Sequence, residues 1–296
     1  MLLRRLEARM PKLTSQEQML YATMRISTFQ KETPLSVGTG FFWGIERGGK
    51  HAVVLVTNNH VIDGADTLSL DCHIADNKSP QNPTGATAIV RLELSEGGIF
   101  RHPDPTVDLC MLGFSSILDI ARAQGTEIFL KSMSRDLIPS DWDAFDAVEE
   151  VFMAGCPQGI YDEVNKFPLV RKGITATAMY RPYNGANEFM VDMACFPGSS
   201  GSPVFVNQNG YTNKRSSTYE MSSRFHLVGI LHAGPTFSNS GEVVLGRQPS
   251  VQIATMMHLG QVIRADALLE IEDLVISHME GAAGRGSGRS GETAQI

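Results

Sequence analysis

The feature that most constrains the fold is a series of short apolar runs with strand-like alternation, separated by turn-forming residues. In the first run Ala22, Met24 and Ile26 alternate with polar residues, and this period of two is typical of a half-buried β-strand. Gly, Pro, Asn and Asp clusters between the runs supply turns. Later runs are VGTGFFWGI, HAVVLVT, TLSLDCHI, AIVRLEL and LCMLGF, then EVFMAGC, LVRKGITATAMY, EFMVDMA, SPVFV, FHLVGILHA and GQVIRA. The pattern predicts an all-β chain.

These runs fall into two series that are joined by an irregular, acidic stretch. The first series occupies residues 21–138 and the second residues 151–264, with a linker at 139–150. No internal repeat suggests a propeller or a solenoid. Two sets of short strands predict two all-β units, each a barrel or a sandwich.

Both ends of the chain differ from the strand-rich body. Residues 1–20 carry leucines at near-helical spacing among charges, which predicts a short N-terminal helix or arm. Residues 281–296 are rich in Gly, Ser and Arg without apolar anchors, which predicts a flexible tail rather than an RNA-binding segment.

One amphipathic helix is expected late in the chain, over residues 265–280. Leu268, Ile271 and Val275 fall on one face of this helix, and acidic residues that include Glu272 fall on the outward face. We therefore expect the helix to pack on a β unit through its leucine face.

Composition narrows the classes of function. A chain of 296 residues with 42% hydrophobic and 19% charged residues is typical of a soluble globular protein. A net charge of −7 and a pI of about 5.6 argue against a broad basic surface for nucleic acid or anionic lipid. No nucleic-acid partner is therefore expected.

The cysteine spacing indicates no metal site, and the hydropathy indicates no membrane-spanning segment. The four cysteines are widely spaced, form no CxxC pair and read as buried reduced thiols. Cys72 beside His73 could begin a metal site, but no second ligand pair with zinc-like spacing follows. Neither a signal sequence nor an apolar run of about 20 residues is present, so a cytoplasmic location without a membrane anchor is predicted.

The chemistry-bearing residues centre on the stretch FPGSSGSPVF, which holds Ser199, Ser200 and Ser202 before a short apolar run. A serine nucleophile needs an imidazole base, an orienting carboxylate and backbone N–H groups for the oxyanion. His60, in VLVTNNHVI, directly follows a predicted strand and is the candidate base. Two aspartates are candidates for the carboxylate that orients His60.

Asp108 and Asp104 both lie in the stretch HPDPTVDLCML. Asp104 is held between two prolines, where it is expected to shape a loop. Asp108 stands just before an apolar strand, and it is favoured as the partner of His60.

Taken together, these stretches resemble chymotrypsin-fold (trypsin-like) serine peptidases over roughly residues 21–280. TNNHV resembles the family's Thr-Ala-x-His motif, VDLCML its Asp-Leu-x-x-Leu motif, and GSSGSP its Gly-Asp-Ser-Gly-Gly-Pro motif. GTGFFW, GCPQG, VRKGITA and LVGILHAG are closer to bacterial glutamyl-endopeptidase-like and HtrA-like branches. The resemblance implies two antiparallel six-stranded β-barrels packed face to face, hydrolysis of protein or peptide substrates in the cleft between them, and no cofactor.

Site roles follow from the same resemblance. It makes His60, Asp108 and Ser200 the catalytic residues and places the oxyanion hole at the N–H groups of Gly198 and Ser200. Ser199 stands where the family motif has an aspartate that pairs with a freshly cut N-terminus. Because a serine cannot form that ion pair, we expect no activation by N-terminal cleavage of this kind.

Specificity is expected to differ from that of trypsin. Ala194 occupies the acidic position of trypsins, six residues before Ser200, so Arg and Lys substrates are not expected. His232, in GILHAG, could donate a hydrogen bond to a Glu or Gln side chain of the substrate. Because Leu231 shifts it from the family's Gly-Ile-His pattern, the ring could instead face the core.

Two other functions remain open at the level of sequence. The chain could be a binding module that keeps the fold without turnover. It could also be a latent protease whose oxyanion hole forms only when a regulatory protein partner binds.

Overall fold

The computed structural model describes residues 12–213, 216, 218–234, 236–242, 250–284 and 294–295. The helices are α1 (Ser15–Ala22), α2 (Asn59–Ile62), α3 (Ser115–Ala123) and α4 (Ala267–Gly284), and short 3₁₀ turns lie at Glu96–Gly98, Arg135–Leu137, Trp142–Ala144 and Pro157–Gly159. The strands are β1 (Thr23–Gln30), β2 (Thr33–Arg47), β3 (Lys50–Thr57), β4 (Thr67–Asp76), β5 (Ser79–Glu93), β6 (Ile99–Arg101), β7 (Cys110–Gly113), β8 (Ile128–Phe129), β9 (Glu150–Gly155), β10 (Leu169–Thr175), β11 (Glu188–Asp192), β12 (Pro203–Asn213), β13 (Thr218–Ala233), β14 (Thr236–Glu242), β15 (Ser250–Met256), β16 (Leu259–Arg264) and β17 (Ala294–Gln295).

Strands β1 to β8 and β17 form the first antiparallel sheet, in the order β17-β5-β4-β1-β2-β3-β7-β6, with β8 paired to β4. The alternation seen in the sequence appears directly in its burial: Leu68, Leu70 and Cys72 of β4 point into the core, and the residues between them are partly exposed. A six-stranded barrel was expected here. Among the described residues this sheet holds nine strands, because the short strands β6 and β17 pair at its edges and β8 pairs with β4.

The second sheet closes into a six-stranded barrel in the order β10-β11-β16-β13-β12-β9. The predicted fold class is therefore confirmed: the chain is mostly β, with two antiparallel sheets and a C-terminal helix. Strands β14 and β15 form a separate two-stranded ladder.

The two sheets share a core with helix α4. Trp43 of β2, Phe205 of β12 and Ile271 of α4 belong to one cluster of buried side chains, and each is completely buried. Leu268 and Val275 of the predicted apolar face join the same cluster. Packing of α4 therefore ties the two sheets together.

One expectation for α4 is wrong. Glu272 was placed on the outward face, but its side chain is 2% exposed. Its carboxylate accepts a hydrogen bond from Trp43 Nε1 at 3.1 Å and lies 3.6 Å from Arg135 Nη1. A buried indole N–H needs an acceptor, and this need outweighs the preference of the carboxylate for water.

The two ends of the chain lie partly outside the described residues. Of the predicted N-terminal helix or arm, residues 1–11 lie outside, and α1 begins after Thr14, which forms a reciprocal capping box with Glu17. Of the predicted flexible tail, residues 285–293 and 296 lie outside, and β17 pairs with β5. None of the helices in the described ranges is long and apolar enough to cross a membrane.

Candidate active site

Strand pairing brings His60 and Asp108 to the same end of the first sheet. Thr57, the last residue of β3, lies opposite Cys110, the first residue of β7. His60 follows β3 by three residues, and Asp108 precedes β7 by two. Because β3 and β7 are antiparallel neighbours, the chain leaves β3 and enters β7 at the same end of the sheet.

The Asp108 carboxylate holds the ring and the backbone of His60. His60 Nδ1 is hydrogen-bonded to Asp108 Oδ2, and the His60 N–H donates to Oδ1 at 3.1 Å. Asn58 Nδ2 fixes the acid in turn by donating to the Asp108 carbonyl at 2.6 Å. With Nδ1–H directed at the carboxylate, Nε2 is the ring nitrogen that can accept a proton.

The pair shifts both pKa values in favour of its charged form. The hydrogen bond with Asp108 raises the pKa of His60 above its ordinary 6.5, against the opposing effect of burial. Burial acts to raise the pKa of Asp108, but the hydrogen bonds and charge of His60 outweigh it, and the net shift is downward. Asp108 is therefore ionised at neutral pH.

Asp104, the rival acid, is engaged elsewhere. Its Oδ1 accepts from the Thr106 N–H at 2.9 Å and from the Thr106 hydroxyl at 2.7 Å. These two bonds lower the pKa of Asp104 and close a local turn.

The three serines before β12 differ in how far they are buried. Ser199 and Ser202 are completely buried, whereas Ser200 is partly exposed. Ser202 packs so closely on Gly155 that a Cβ there would lie 1.9 Å from its Oγ. Ser200 Oγ makes one long contact, a donation to the His232 carbonyl at 3.5 Å, and no hydrogen bond within the described residues joins it to His60.

The backbone N–H groups of Gly198 and Ser200 have no acceptor in the part of the chain that the structure describes. The Pro197 carbonyl accepts from the Gln158 N–H at 2.6 Å. Because the peptide bond is planar and trans, the Gly198 N–H points the opposite way. Within the described residues, neither this N–H nor that of Ser200 has a hydrogen-bond partner, whereas the Ser199 N–H between them donates to the Phe196 carbonyl at 3.0 Å.

Gly198 is required by this geometry. Its φ of +87° lies in the region that favours glycine, and a Cβ there would lie 2.8 Å from the Cys156 carbonyl oxygen. A substituent would therefore displace the turn that leaves the two N–H groups unpaired.

Residues 38–211, more than half of the chain, match the family described as the trypsin-like peptidase domain. The match includes His60, Asp108 and Ser200. The chain belongs to the trypsin-like peptidase family.

Two solved structures are similar to this peptidase domain. One is a thermostable serine protease, AL20, from an extremophilic microorganism, with 10% identity and a TM-score of 0.47 over 87% of this chain and 98% of that one. The other is an inactivated protease paralogue of the scabies mite, with 12% identity and a TM-score of 0.43 over 88% of this chain and 96% of that one. No curated protein sequence matches the chain.

Thr39 is a site residue of the peptidase domain that sequence reasoning missed. Its hydroxyl donates to the Gly198 carbonyl at 2.9 Å and accepts from the Cys156 N–H at 3.0 Å, and its N–H donates to the Ser200 carbonyl at 2.8 Å. A residue of β2 thus fixes the serine turn of the second barrel to the first sheet. The signal was the run GTGFFW, which places a hydroxyl between two glycines in an otherwise apolar strand.

The two predicted pocket residues have different surroundings. Ala194 is partly exposed, and its carbonyl accepts from Arg171 Nη1. The His232 ring is mostly buried, with Nε2 lying 3.2 Å from Glu188 Oε1 but off the line of a hydrogen bond. Burial lowers the pKa of His232, against the opposing charges of Glu188 and Asp108.

Metal ligation has no visible basis in the part of the chain that the structure describes. No group of three or more His, Cys, Asp or Glu side chains there is arranged to hold an ion. The ring of His73, next to Cys72, instead packs edge-on against Tyr21 at 4.9 Å.

Proposed function

We propose that this peptidase is an active serine endopeptidase that cleaves proteins or peptides through an acyl-enzyme on Ser200. Family membership implies protein substrates. The observation that carries the proposal is the combination of the His60–Asp108 pair with two N–H groups flanking Ser199 that find no acceptor among the described residues. A base with the right tautomer and a pair of free donors are the two features that serine acyl transfer requires.

In the proposed reaction Ser200 Oγ attacks the scissile carbonyl carbon while His60 Nε2 accepts its proton. The N–H groups of Gly198 and Ser200 donate to the oxygen that becomes negative. His60 then protonates the leaving amine, and a water deprotonated by the same ring hydrolyses the ester. Asp108 stays ionised and stabilises the imidazolium.

Burial supports Ser200 over its neighbours as the nucleophile. Ser199 and Ser202 are completely buried, so a substrate carbonyl cannot reach either oxygen without moving the turn. Ser200 is partly exposed, and its hydroxyl contact with the His232 carbonyl is too long to compete with a well-formed hydrogen bond.

The proposed specificity excludes Arg and Lys and favours Glu or Gln. Ala194 offers no carboxylate to a cationic side chain, and the Arg171 guanidinium on its carbonyl brings positive charge to this position. An acidic or amide side chain suits such surroundings better than a basic one. His232 is the proposed hydrogen-bond donor to that side chain.

A peptide library digested by the purified chain, with sequencing of the new termini, tests this function. The wild type is expected to cut after Glu or Gln, and Ser200→Ala is expected to cut nothing. Asp108→Asn and Asp104→Asn form a matched pair, of which only the first is expected to lose activity. Cleavage by Ser200→Ala at the wild-type rate would rule out the proposed nucleophile.

A second candidate is a latent form that needs a protein partner. The observation that favours it is that no hydrogen bond within the described residues joins the Ser200 hydroxyl to His60. In that case the library stays uncut by the wild type until a partner is added.

A further inference from the structure

Ser199, which stands where the family motif has an aspartate, is hydrogen-bonded to Arg171, a residue of the stretch VRKGITA to which the sequence assigned no role. Arg171 Nη2 donates to Ser199 Oγ at 2.8 Å, and Nη1 of the same side chain donates to the Ala194 carbonyl. Arg171 lies on β10, opposite Met153 of β9. One guanidinium therefore links a barrel strand to both ends of the segment 194–199.

No carboxylate among the described residues balances the charge of this guanidinium. Within the described residues Arg171 has no salt bridge, and the ionisable groups that act on it are the thiols of Cys195 and Cys156. Burial lowers its pKa, and its Nε is buried without a hydrogen-bond partner. The Arg171 side chain is partly buried, and desolvating a cation without a counter-ion costs free energy, so stability alone favours an apolar side chain of similar length at this position.

Arg171 contacts the segment that carries the N–H groups of Gly198 and Ser200, so it can fix the direction in which they point. Ser199 sits between Gly198 and Ser200, and Ala194 begins the segment that leads to them. Other hydrogen bonds also anchor this turn. They include the Gln158 N–H on the Pro197 carbonyl, the Thr39 hydroxyl and N–H on the Gly198 and Ser200 carbonyls, and the Ser199–Phe196 bond. These bonds act on residues 196–200, whereas Arg171 joins Ala194 to Ser199, two points five residues apart.

We propose that Arg171 is a positioning residue of this peptidase. Its two hydrogen bonds fix residues 194–199 so that the N–H groups of Gly198 and Ser200 stay directed at the substrate carbonyl oxygen. The proposal rests on the proposed serine peptidase function. Arg171 also supplies a cation from within the folded chain at Ser199, where the family motif has an aspartate that pairs with a cut N-terminus. The serine turn is then ordered without N-terminal cleavage.

The test measures phosphonylation of Ser200 by a fluorophosphonate probe together with amide hydrogen exchange of the segment 194–202. The full-length variants are Arg171→Met and Ser199→Ala, with Lys172→Met as the matched control. Lys172 is the next residue of β10, its side chain is 56% exposed, and it pairs with Glu150 at 2.8 Å.

We expect Arg171→Met to lower the maximal phosphonylation rate by about 10²-fold, the cost of one lost oxyanion donor, with little change in probe affinity. Ser199→Ala, which removes one of the two acceptors, is expected to lower it by about 10-fold. In both variants the amides of 194–202 exchange faster, while those of β16 do not change. Lys172→Met matches the wild type in both measurements.

The inference is overturned if Arg171→Met and Ser199→Ala keep the wild-type rate and the wild-type exchange of 194–202. If Arg171→Met does not fold, Ser199→Ala decides by the same criteria, since it removes only one buried oxygen. A wild type that never reacts with the probe contradicts the proposed function instead. The exchange of 194–202 then decides the positioning role: faster exchange in the variants supports it, and unchanged exchange refutes it.

Discussion

Replacement of Gly198 by alanine tests whether the two free N–H groups depend on the shape of the serine turn. The φ of +87° makes an L side chain unfavourable by about 1–2 kcal/mol. The new Cβ would also lie 2.8 Å from the Cys156 carbonyl oxygen and 2.9 Å from the Gln158 nitrogen, so the turn must move. Loss of the Gln158–Pro197 hydrogen bond adds about 1 kcal/mol. We expect Gly198→Ala to lower the free energy of unfolding by about 2–3 kcal/mol.

Gly185→Ala is the matched control. Gly185 has a φ of +85°, and a Cβ there would meet nothing within 4 Å. It therefore carries the same backbone cost of about 1–2 kcal/mol without a clash near Ser200.

Urea unfolding and the rate of fluorophosphonate labelling separate the two variants. Gly185→Ala is expected to lose stability but to label at the wild-type rate. Gly198→Ala is expected to label about 10²–10³-fold more slowly, the cost of losing one oxyanion donor. If Gly198→Ala loses stability and still labels at the wild-type rate, the donors do not depend on this turn and the reasoning fails.

Three further predictions concern the base, the thiols and the C-terminal helix. Because Asp108 raises the pKa of His60, the rate of fluorophosphonate labelling should increase with pH through a midpoint above 6.5. Asp108→Asn should move this midpoint to lower pH and slow labelling by about 10⁴-fold. Asp104→Asn, the control, should change neither the midpoint nor the rate. The four cysteines are buried, and burial raises the pKa of each thiol, so iodoacetamide should alkylate the native chain at least about 10²-fold more slowly than the chain in urea. Leu268→Ala, at a fully buried position of α4, should lower the free energy of unfolding by about 2–5 kcal/mol, whereas Leu274→Ala, at a position 41% exposed, should change it by about 0.5 kcal/mol or less; equal losses in urea unfolding would contradict the packing of α4.

Alternation made much of the fold predictable from sequence, because one face of each long strand is buried. Leu68 and Leu70 of β4 illustrate this, as does Leu268 on the apolar face of α4. Helix α3 was missed, because its four-residue spacing of Ile117 and Ala121 lies in a short run between strands. Its C-terminal side does carry a stop signal at Gly125 that a helix search could have used.

Pairings between distant residues were beyond the reach of the pattern. The burial of Glu272 follows from the indole N–H of Trp43, more than 200 residues earlier in the chain. The same holds for the contacts of the serine turn. Thr39 reaches it from the first sheet, and Arg171 reaches it from β10 of the barrel. No local propensity encodes such contacts, since they depend on how the sheets pack.

The most direct test of the account is mass mapping of the peptide modified by a fluorophosphonate in the wild type, Ser200→Ala and Ser202→Ala. The account predicts that the wild type and Ser202→Ala carry the label on Ser200 and that Ser200→Ala carries none. A label that survives Ser200→Ala and disappears in Ser202→Ala would place the nucleophile two residues further along the turn. A wild type that remains unlabelled would contradict an assembled catalytic site.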